Sequence, residues 1–76
     1  MRKTFLTITA KHDPNGMIYP LTINWTDGQV YAVDRIIDVR QAVSLKCGGQ
    51  GLRYTCRIEG KEMYLFYDEG KWFIEA

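Results

Sequence analysis

Residues 52–75, LRYTCRIEGKEMYLFYDEGKWFIE, place apolar side chains at alternate positions through three successive segments. Such period-two alternation is typical of β-strands that bury one face. The turn signals EGK at 59–61 and DEG at 68–70 separate the segments. The stretch therefore predicts a three-stranded antiparallel meander, which is the clearest structural signal in the chain.

The register of this meander follows from its turns, because a slip of one residue would move every side chain to the opposite face. Turns at Gly60-Lys61 and Glu69-Gly70 bring apolar residues of all three strands into line. The two predicted rows are Cys56–Leu65–Ile74 and Tyr54–Tyr67–Trp72. Both rows lie on one face, which is expected to form a wall of the core.

The N-terminal third alternates in the same way around the turn signal DPNG at residues 13–16. Proline and glycine occupy positions there that a type I turn favours. A four-residue loop at this point pairs Ile8 with Leu21 on the inner face. Pro20 then falls on the outer face, and because proline donates no hydrogen bond, the strand is expected to be an edge or to bulge there.

Asp27-Gly28 predicts a two-residue hairpin turn of the Asp-Gly type. This turn pairs Ile23 with Ala32 and directs both side chains inward. Continuing the register would also point Asp34 into the core, so the strand is expected to bulge or bend near Asp34. A further strand then restarts in RIIDVR, residues 35–40.

Residues 36–47 carry a mixed signal. Their apolar spacing fits a helix, but their content of β-branched residues disfavours one. The favoured interpretation is a strand that runs through Val39 or Arg40. A bend or a single helical turn over residues 41–45 is expected to follow.

The chain has no repeat, linker or low-complexity segment, so residues 1–76 are expected to form a single domain. The predicted fold class is all-β, a small antiparallel meander of five to seven short strands that closes into a strongly bent, SH3-like barrel. No segment has the length of a membrane span, and the N-terminus lacks the pattern of a signal peptide. The net charge is only +1, which gives no general attraction to nucleic acid or membranes. A soluble, cytoplasmic protein is expected.

Both cysteines lie in LKCGGQGLRYTCRI, residues 45–58. Two thiols and a distant His12 fall short of the four ligands of a zinc site, so no metal and no cofactor are predicted. Cys56 shares a face with predicted core residues, and the cytoplasm disfavours a disulfide with Cys47. The glycines between them are interpreted as a turn that needs positive φ angles.

Catalytic constellations are scarce. With one histidine in the chain, no Ser-His or Cys-His pair can be assigned, so no enzymatic activity is predicted. Asp34 and Asp38 alternate with arginines in DRIIDVR, and solvated ion pairs are favoured over a catalytic carboxylate pair.

The outer face of the C-terminal meander is the candidate binding surface. Its predicted members are Arg53, Arg57, Tyr64, Phe66 and Phe73. Large aromatic groups on an open face mark interaction sites, and arginines beside them can stack on bases or hold a protein partner. Barrel curvature, a lid formed by residues 36–47 or a homodimer interface would instead bury this face.

Residues 33–76 resemble a family of small bacterial proteins of unknown function, mostly from Gram-positive gut-type bacteria. The shared order is Asp-Arg…Asp-Val-Arg, Gly-Gly-x-Gly-x-Arg-Tyr-Thr, Tyr-Leu-Phe and Trp-Phe. The resemblance spans about the last two-thirds of the chain. It implies a bacterial origin and little more, and it transfers no activity, substrate or catalytic residue.

The expected function is that of a non-catalytic small β-barrel module that binds a protein partner or a second copy of itself. One alternative is an RNA- or DNA-binding accessory protein that uses the arginine and aromatic face. The other is a thiol-dependent enzyme or redox protein that uses Cys47.

Overall fold

A computed structural model describes residues 3–43 and 50–75. Within these ranges the chain forms seven β-strands and no helix. The strands are β1 (Lys3–His12), β2 (Ile18–Asn24), β3 (Val30–Ala32), β4 (Arg35–Val43), β5 (Gln50–Ile58), β6 (Lys61–Asp68) and β7 (Lys71–Glu75). All neighbours are antiparallel, and the sheet curls strongly into a half-barrel in the order β3-β2-β1-β7-β6-β5-β4. The all-β prediction is confirmed.

The sheet consists of two meanders joined through the first and last strands. The N-terminal half of β1 pairs with β7, where Leu6 lies opposite Trp72. The C-terminal half of β1 pairs with β2, where Ile8 lies opposite Ile23. A strand shared in this way turns the corner between two sheet directions and closes the core between them.

The core lies on the concave face of the half-barrel. Its buried members are Leu6, Ile23, Tyr54, Cys56, Ile58, Leu65 and Trp72. The Tyr54 hydroxyl crosses this face and donates a hydrogen bond to the carbonyl oxygen of Ile18 at 2.5 Å. Because a buried hydroxyl without a partner is costly, this bond lets an aromatic side chain fill the centre of the core.

The turn between β5 and β6 lies one residue earlier than predicted. Glu59 and Gly60 are its central residues, with φ angles of 53° and 76°, as a type I′ hairpin turn requires. Tyr54 therefore lies opposite Leu65, and the predicted Cys56–Leu65 and Tyr54–Tyr67 pairs are wrong by two residues. A two-residue shift leaves every side chain on its predicted face. The register of β6 with β7 is as predicted, with Tyr67 opposite Trp72.

The loop after β1 has three residues between its closing pair. Asp13 and Met17 close it through a backbone hydrogen bond of 2.9 Å, and Gly16 takes a φ of 88°. The predicted loop of four residues is thus one residue too long, and the observed form is a type I turn followed by a glycine bulge. The predicted pair of Ile8 with Leu21 is wrong, since Ile8 lies opposite Ile23. Pro20 consequently turns inward and is buried, against the prediction. The expected bulge is present, because Leu21 has no partner in β1 and is exposed.

The loop after β2 has the same three-residue form and corrects another register. The Trp25 N–H donates to the Gln29 carbonyl oxygen at 2.8 Å, and the loop includes Gly28 at a φ of 87°. Ile23 therefore lies opposite Tyr31, and Ala32 faces outward rather than inward. The one-residue shift also removes the conflict that the predicted register raised, since Asp34 is exposed.

β4 restarts at Arg35, as predicted, and continues to Val43. The predicted bend or helical turn is therefore wrong for residues 41–43, and the rest of it lies outside the described residues. Ile37 bulges out between the pairs Ile36–Cys56 and Asp38–Thr55. The bulge lets β-branched residues on both sides keep facing the core.

Candidate binding surface on the convex face

One aromatic row crosses the convex face of the half-barrel. Arg53 of β5 lies opposite Phe66 of β6, which lies opposite Phe73 of β7. The pairing of β7 with β1 then adds Phe5 to the same row. Three of the predicted site residues are thus brought together. Phe5 was missed because the sequence gives no sign that the first and last strands pair.

The rings of this row form a second apolar layer, separate from the concave core. Phe66 and Phe73 stack with centroids 5.4 Å apart and an interplanar angle of 11°. Phe5 meets Phe73 edge to face at 5.6 Å. Phe73 is covered to 1% exposure, whereas Phe5 remains 55% exposed. Phe73 is therefore the buried base on which the other rings pack, and Phe5 is available for contact with a partner.

Cations lie over the aromatic rings of this face. Lys3 Nζ lies 4.4 Å from the centroid of Phe73, and Lys71 Nζ lies 5.8 Å from that of Phe5. The Arg53 guanidinium carbon lies 4.6 Å from the centroid of Tyr64, a ring that is 53% exposed. Such contacts are attractive because a cation faces the negative side of the ring quadrupole.

Arg53 has an unsatisfied donor within this arrangement. Its Nε is buried and finds no hydrogen-bond acceptor among the described residues. A buried donor without an acceptor is unfavourable, more so when it belongs to a charged group. Because this atom is buried, a partner could not reach it, and the unsatisfied Nε shows that Arg53 is packed into the surface beside Tyr64.

Arg57 lies at the margin of the surface. The corrected register places it opposite Glu62 rather than beside Tyr64 and Glu75. Its guanidinium forms an exposed ion pair with Glu62 at 3.4 Å. Exposed pairs of this kind contribute little to stability, so Arg57 is held loosely at the edge of the aromatic row.

The edge strand β4 extends the surface with two further arginines. Arg35 lies directly opposite Arg57, and Arg40 lies directly opposite Arg53. Like charges at directly opposed positions destabilise a sheet. The Arg40–Asp38 ion pair of 2.7 Å relieves part of this repulsion and confirms the ion pairing predicted for Asp38.

Asp34 has a different role from the one predicted. Its carboxylate accepts a hydrogen bond from the backbone N–H of Glu59 at 3.2 Å, and so stabilises the β5–β6 turn.

The row of arginines on β4 and β5 could have been found from the sequence, because DRIIDVR and LRYTCR both place arginine on the outward face of a strand.

The thiol chemistry of the described residues is limited to Cys56. Its side chain is fully buried, and desolvation raises the pKa of the thiol to about 11. A buried thiol of high pKa is a poor nucleophile, because the thiolate is the reactive form. Cys47, the residue of the redox alternative, lies outside the described residues, as does the predicted Gly48-Gly49 turn.

Two further observations concern residues 3–43 and 50–75 only. No three His, Cys, Asp or Glu side chains come together there in a way that could hold a metal ion. No helix in these ranges could cross a membrane.

No family model, curated protein or solved structure matches the chain. What the protein does therefore has to be inferred from its own residues.

Proposed function

We propose that this protein is a non-catalytic interaction module of the bacterial cytoplasm, and that its convex face binds a protein partner. The aromatic surface, as we name it, consists of Lys3, Phe5, Arg53, Tyr64 and Phe66, supported by Phe73. The observation that carries the proposal is the pair of half-exposed rings, Phe5 and Tyr64, on a face where Lys3 and Arg53 lie over aromatic rings.

The chemistry of the aromatic surface matches that of a protein interface. Aromatic residues and arginine are enriched at interface centres, where they provide most of the binding free energy. A partner that covers this surface would pack against the exposed rings and against the Arg53 guanidinium stacked on Tyr64. Phe5 and Tyr64 would lose their exposed apolar area in the same step, which favours association.

Acidic side chains on the same face also favour a protein over a polyanion. Glu62 lies opposite Arg57, and Asp68 lies opposite Lys71. Carboxylates at these positions would repel closely approaching phosphates, whereas a protein partner can match a mixed pattern of charge.

Site-specific crosslinking in the native cells tests the proposal. Tyr64 is replaced by the photoreactive p-benzoylphenylalanine, and Val30, which is 61% exposed on β3, is replaced in a matched control. Illumination is expected to give a discrete protein adduct from position 64 and none from position 30. An adduct of twice the chain mass identifies the partner as a second copy. The same adducts from both positions, or none from position 64, would overturn the proposal.

A second candidate, RNA or single-stranded DNA binding, is favoured by one specific observation. The opposed pairs Arg35–Arg57 and Arg40–Arg53 place four arginines on two neighbouring strands, and one of them, Arg53, lies over the ring of Tyr64. Arginines next to an exposed ring are the elements that hold phosphates and stack bases in proteins that bind single strands.

Retention of an oligouridine of twelve nucleotides at increasing salt tests the second candidate. Binding through phosphates would give a steep negative salt slope. The double variant Arg40→Ala, Arg53→Ala would lower that slope by about two, one for each lost contact. If the oligonucleotide is not retained even at low salt, nucleic-acid binding is excluded and the protein partner remains.

A further inference from the structure

The strand β1 has an open edge in its C-terminal half. Its pairing with β7 ends at Leu6 opposite Trp72, and β7 itself begins at Lys71. The chain before Lys71 turns away into β6 through Glu69 and Gly70. Within the described ranges, residues 7–12 consequently have β2 on one side and no strand on the other.

The direction of the backbone groups along this edge can be deduced from the hairpin. The N–H of Asp13 donates across the hairpin to Met17, so Asp13 faces β2. Because successive residues of a strand point their N–H and C=O groups to opposite sides, Thr7 also faces β2. The side-chain amide of Asn24, in β2, donates a hydrogen bond to the Thr7 carbonyl oxygen, which agrees with this assignment. The backbone groups of Ile8, Ala10 and His12 therefore point towards the open side.

A groove of about 780 Å³ runs beside these groups. Its apolar lining includes Ile8, Ile18, Tyr67 and Trp72. The ionisable groups of the lining, apart from the Tyr67 phenol, are His12 and Lys71, and no carboxylate belongs to it. The groove thus combines an unpaired strand edge, apolar walls and positive charge.

We propose that this groove binds an extended peptide segment of another protein, which adds to β1 as an extra strand. The occupant has apolar side chains at alternate positions and an acidic residue that reaches Lys71. Backbone hydrogen bonds to Ile8, Ala10 and His12 hold it, as in other cases of β-strand addition. At about 3.4 Å per residue, the five positions 8–12 give room for a peptide of about five residues.

The site adjoins the aromatic surface at Phe5 and Lys71. Its backbone hydrogen-bonding groups and the apolar lining of Ile8, Ile18, Tyr67 and Trp72 do not belong to that surface. Proteins commonly protect exposed strand edges with charges, bulges or short length. The edge strand β4 shows this protection, with the Ile37 bulge and the Asp38–Arg40 ion pair. Residues 7–12 of β1 have one exposed lysine, Lys11, but no bulge residue of their own, and their open side faces the apolar groove. This edge is therefore less protected than that of β4.

Selection from a phage-displayed library of random linear dodecapeptides, with the whole protein as bait, tests this proposal. Recovered peptides are expected to alternate apolar residues and to share an Asp or Glu. Titrating one of them as a synthetic peptide should shift the amide NMR signals of Ile8, Ala10 and His12 and slow their hydrogen exchange at least tenfold. Methylating the peptide's alternate amide nitrogens that face β1 should weaken binding at least tenfold, because it removes the donors and places a methyl group against β1. Methylating the alternate nitrogens that face away from β1 is the matched control and should weaken binding much less.

Two substitutions complete the test. Lys71→Glu should weaken the selected peptide at least fivefold, whereas Lys61→Glu, an exposed lysine at the start of β6, should not. Tyr64→Ser should leave the affinity for the peptide unchanged, which separates this site from the aromatic surface. Recovery of no peptide would overturn the proposal, as would shifts confined to the convex face. A protein dimer that protects the same three amides without any peptide would also overturn it and assign the edge to a second copy.

Discussion

Cys56 contributes a fully buried thiol to the core. It alternates with Tyr54 and Ile58, and all three are buried. The expected core role follows from period-two alternation, which is insensitive to errors in turn position. The pKa of its thiol was not predictable, since it depends on how completely β1, β2 and the meander exclude water around it.

Replacing Cys56 by serine is expected to destabilise the fold by about 1–3 kcal/mol, because a hydroxyl without a partner takes the place of a packed thiol. Cys47→Ser is the matched control and is expected to be nearly silent. Urea unfolding of both variants measures the effect. A larger loss of stability in the Cys47 variant than in the Cys56 variant would contradict the assignment of Cys56 to the core.

The raised pKa of Cys56 predicts a dependence of stability on alkaline pH. The thiol of the unfolded chain ionises near its ordinary pKa of 9.0, whereas the folded thiol stays neutral up to about 11. The unfolded state therefore loses its proton first, and the free energy of unfolding falls as pH rises from 9 through 11. Cys56→Ala removes this contribution and leaves every other titrating group in place. The difference in stability between the original protein and this variant should shrink across that range, and parallel pH curves would contradict the burial of the thiol.

At the scale of strands and turns, the sequence predicted which segments are strands more reliably than how they pair. Alternation identified the stretches around β1, β2, β5, β6 and β7, and a restart at β4. The loops after β1 and β2 were misassigned by one residue each, because the sequence does not show which residues close a turn that ends in glycine. The β1 loop is one residue shorter than predicted, which turns Pro20 inward, and the β2 loop is one residue longer, which turns Ala32 outward.

The type I′ turn of the β5–β6 hairpin gives a prediction of its own. Glu59 has a φ of 53°, a left-handed value that a side chain such as glutamate tolerates poorly. Glu59→Asn creates the favoured Asn-Gly pair and should stabilise the protein by about 0.5–1 kcal/mol. Glu62→Asn on the neighbouring strand is the control and should give no gain. Thermal unfolding of both variants measures the change in stability, and a loss of stability in Glu59→Asn would contradict the turn assignment.

At the scale of the whole molecule, the pairing of β1 with β7 determines both the core and the binding surface. Nothing local in either strand reveals this pairing, since each alternates equally well against several partners. The predicted site therefore contained Arg53, Tyr64, Phe66 and Phe73 but lacked Phe5 and Lys3. Arg57 was placed too close to the centre by the two-residue error at the β5–β6 turn.

Phe73 and Tyr64 have different roles in the aromatic surface, so their substitutions should differ in their effect on stability. Phe73→Ser should cost about 3–5 kcal/mol, a large share of the stability of a small domain, because the ring is buried under Phe5, Phe66 and Lys3. Tyr64→Ser should leave the fold intact, because that ring is half-exposed. Circular dichroism melting of the two variants distinguishes them. Equal losses would mean that the convex face is a second core layer throughout.

Hydroxyl-radical footprinting of the purified protein, compared with the same protein inside its native cells, tests most directly whether the aromatic surface binds a partner. In the purified protein Tyr64 and Phe5 should be oxidised, as should Met17, an exposed reference residue away from this surface. In the cell the oxidation of Tyr64 and Phe5 should fall severalfold while that of Met17 persists. Oxidation of Tyr64 and Phe5 at the same rate, relative to Met17, in both samples would show that nothing covers the surface and would contradict the proposed function.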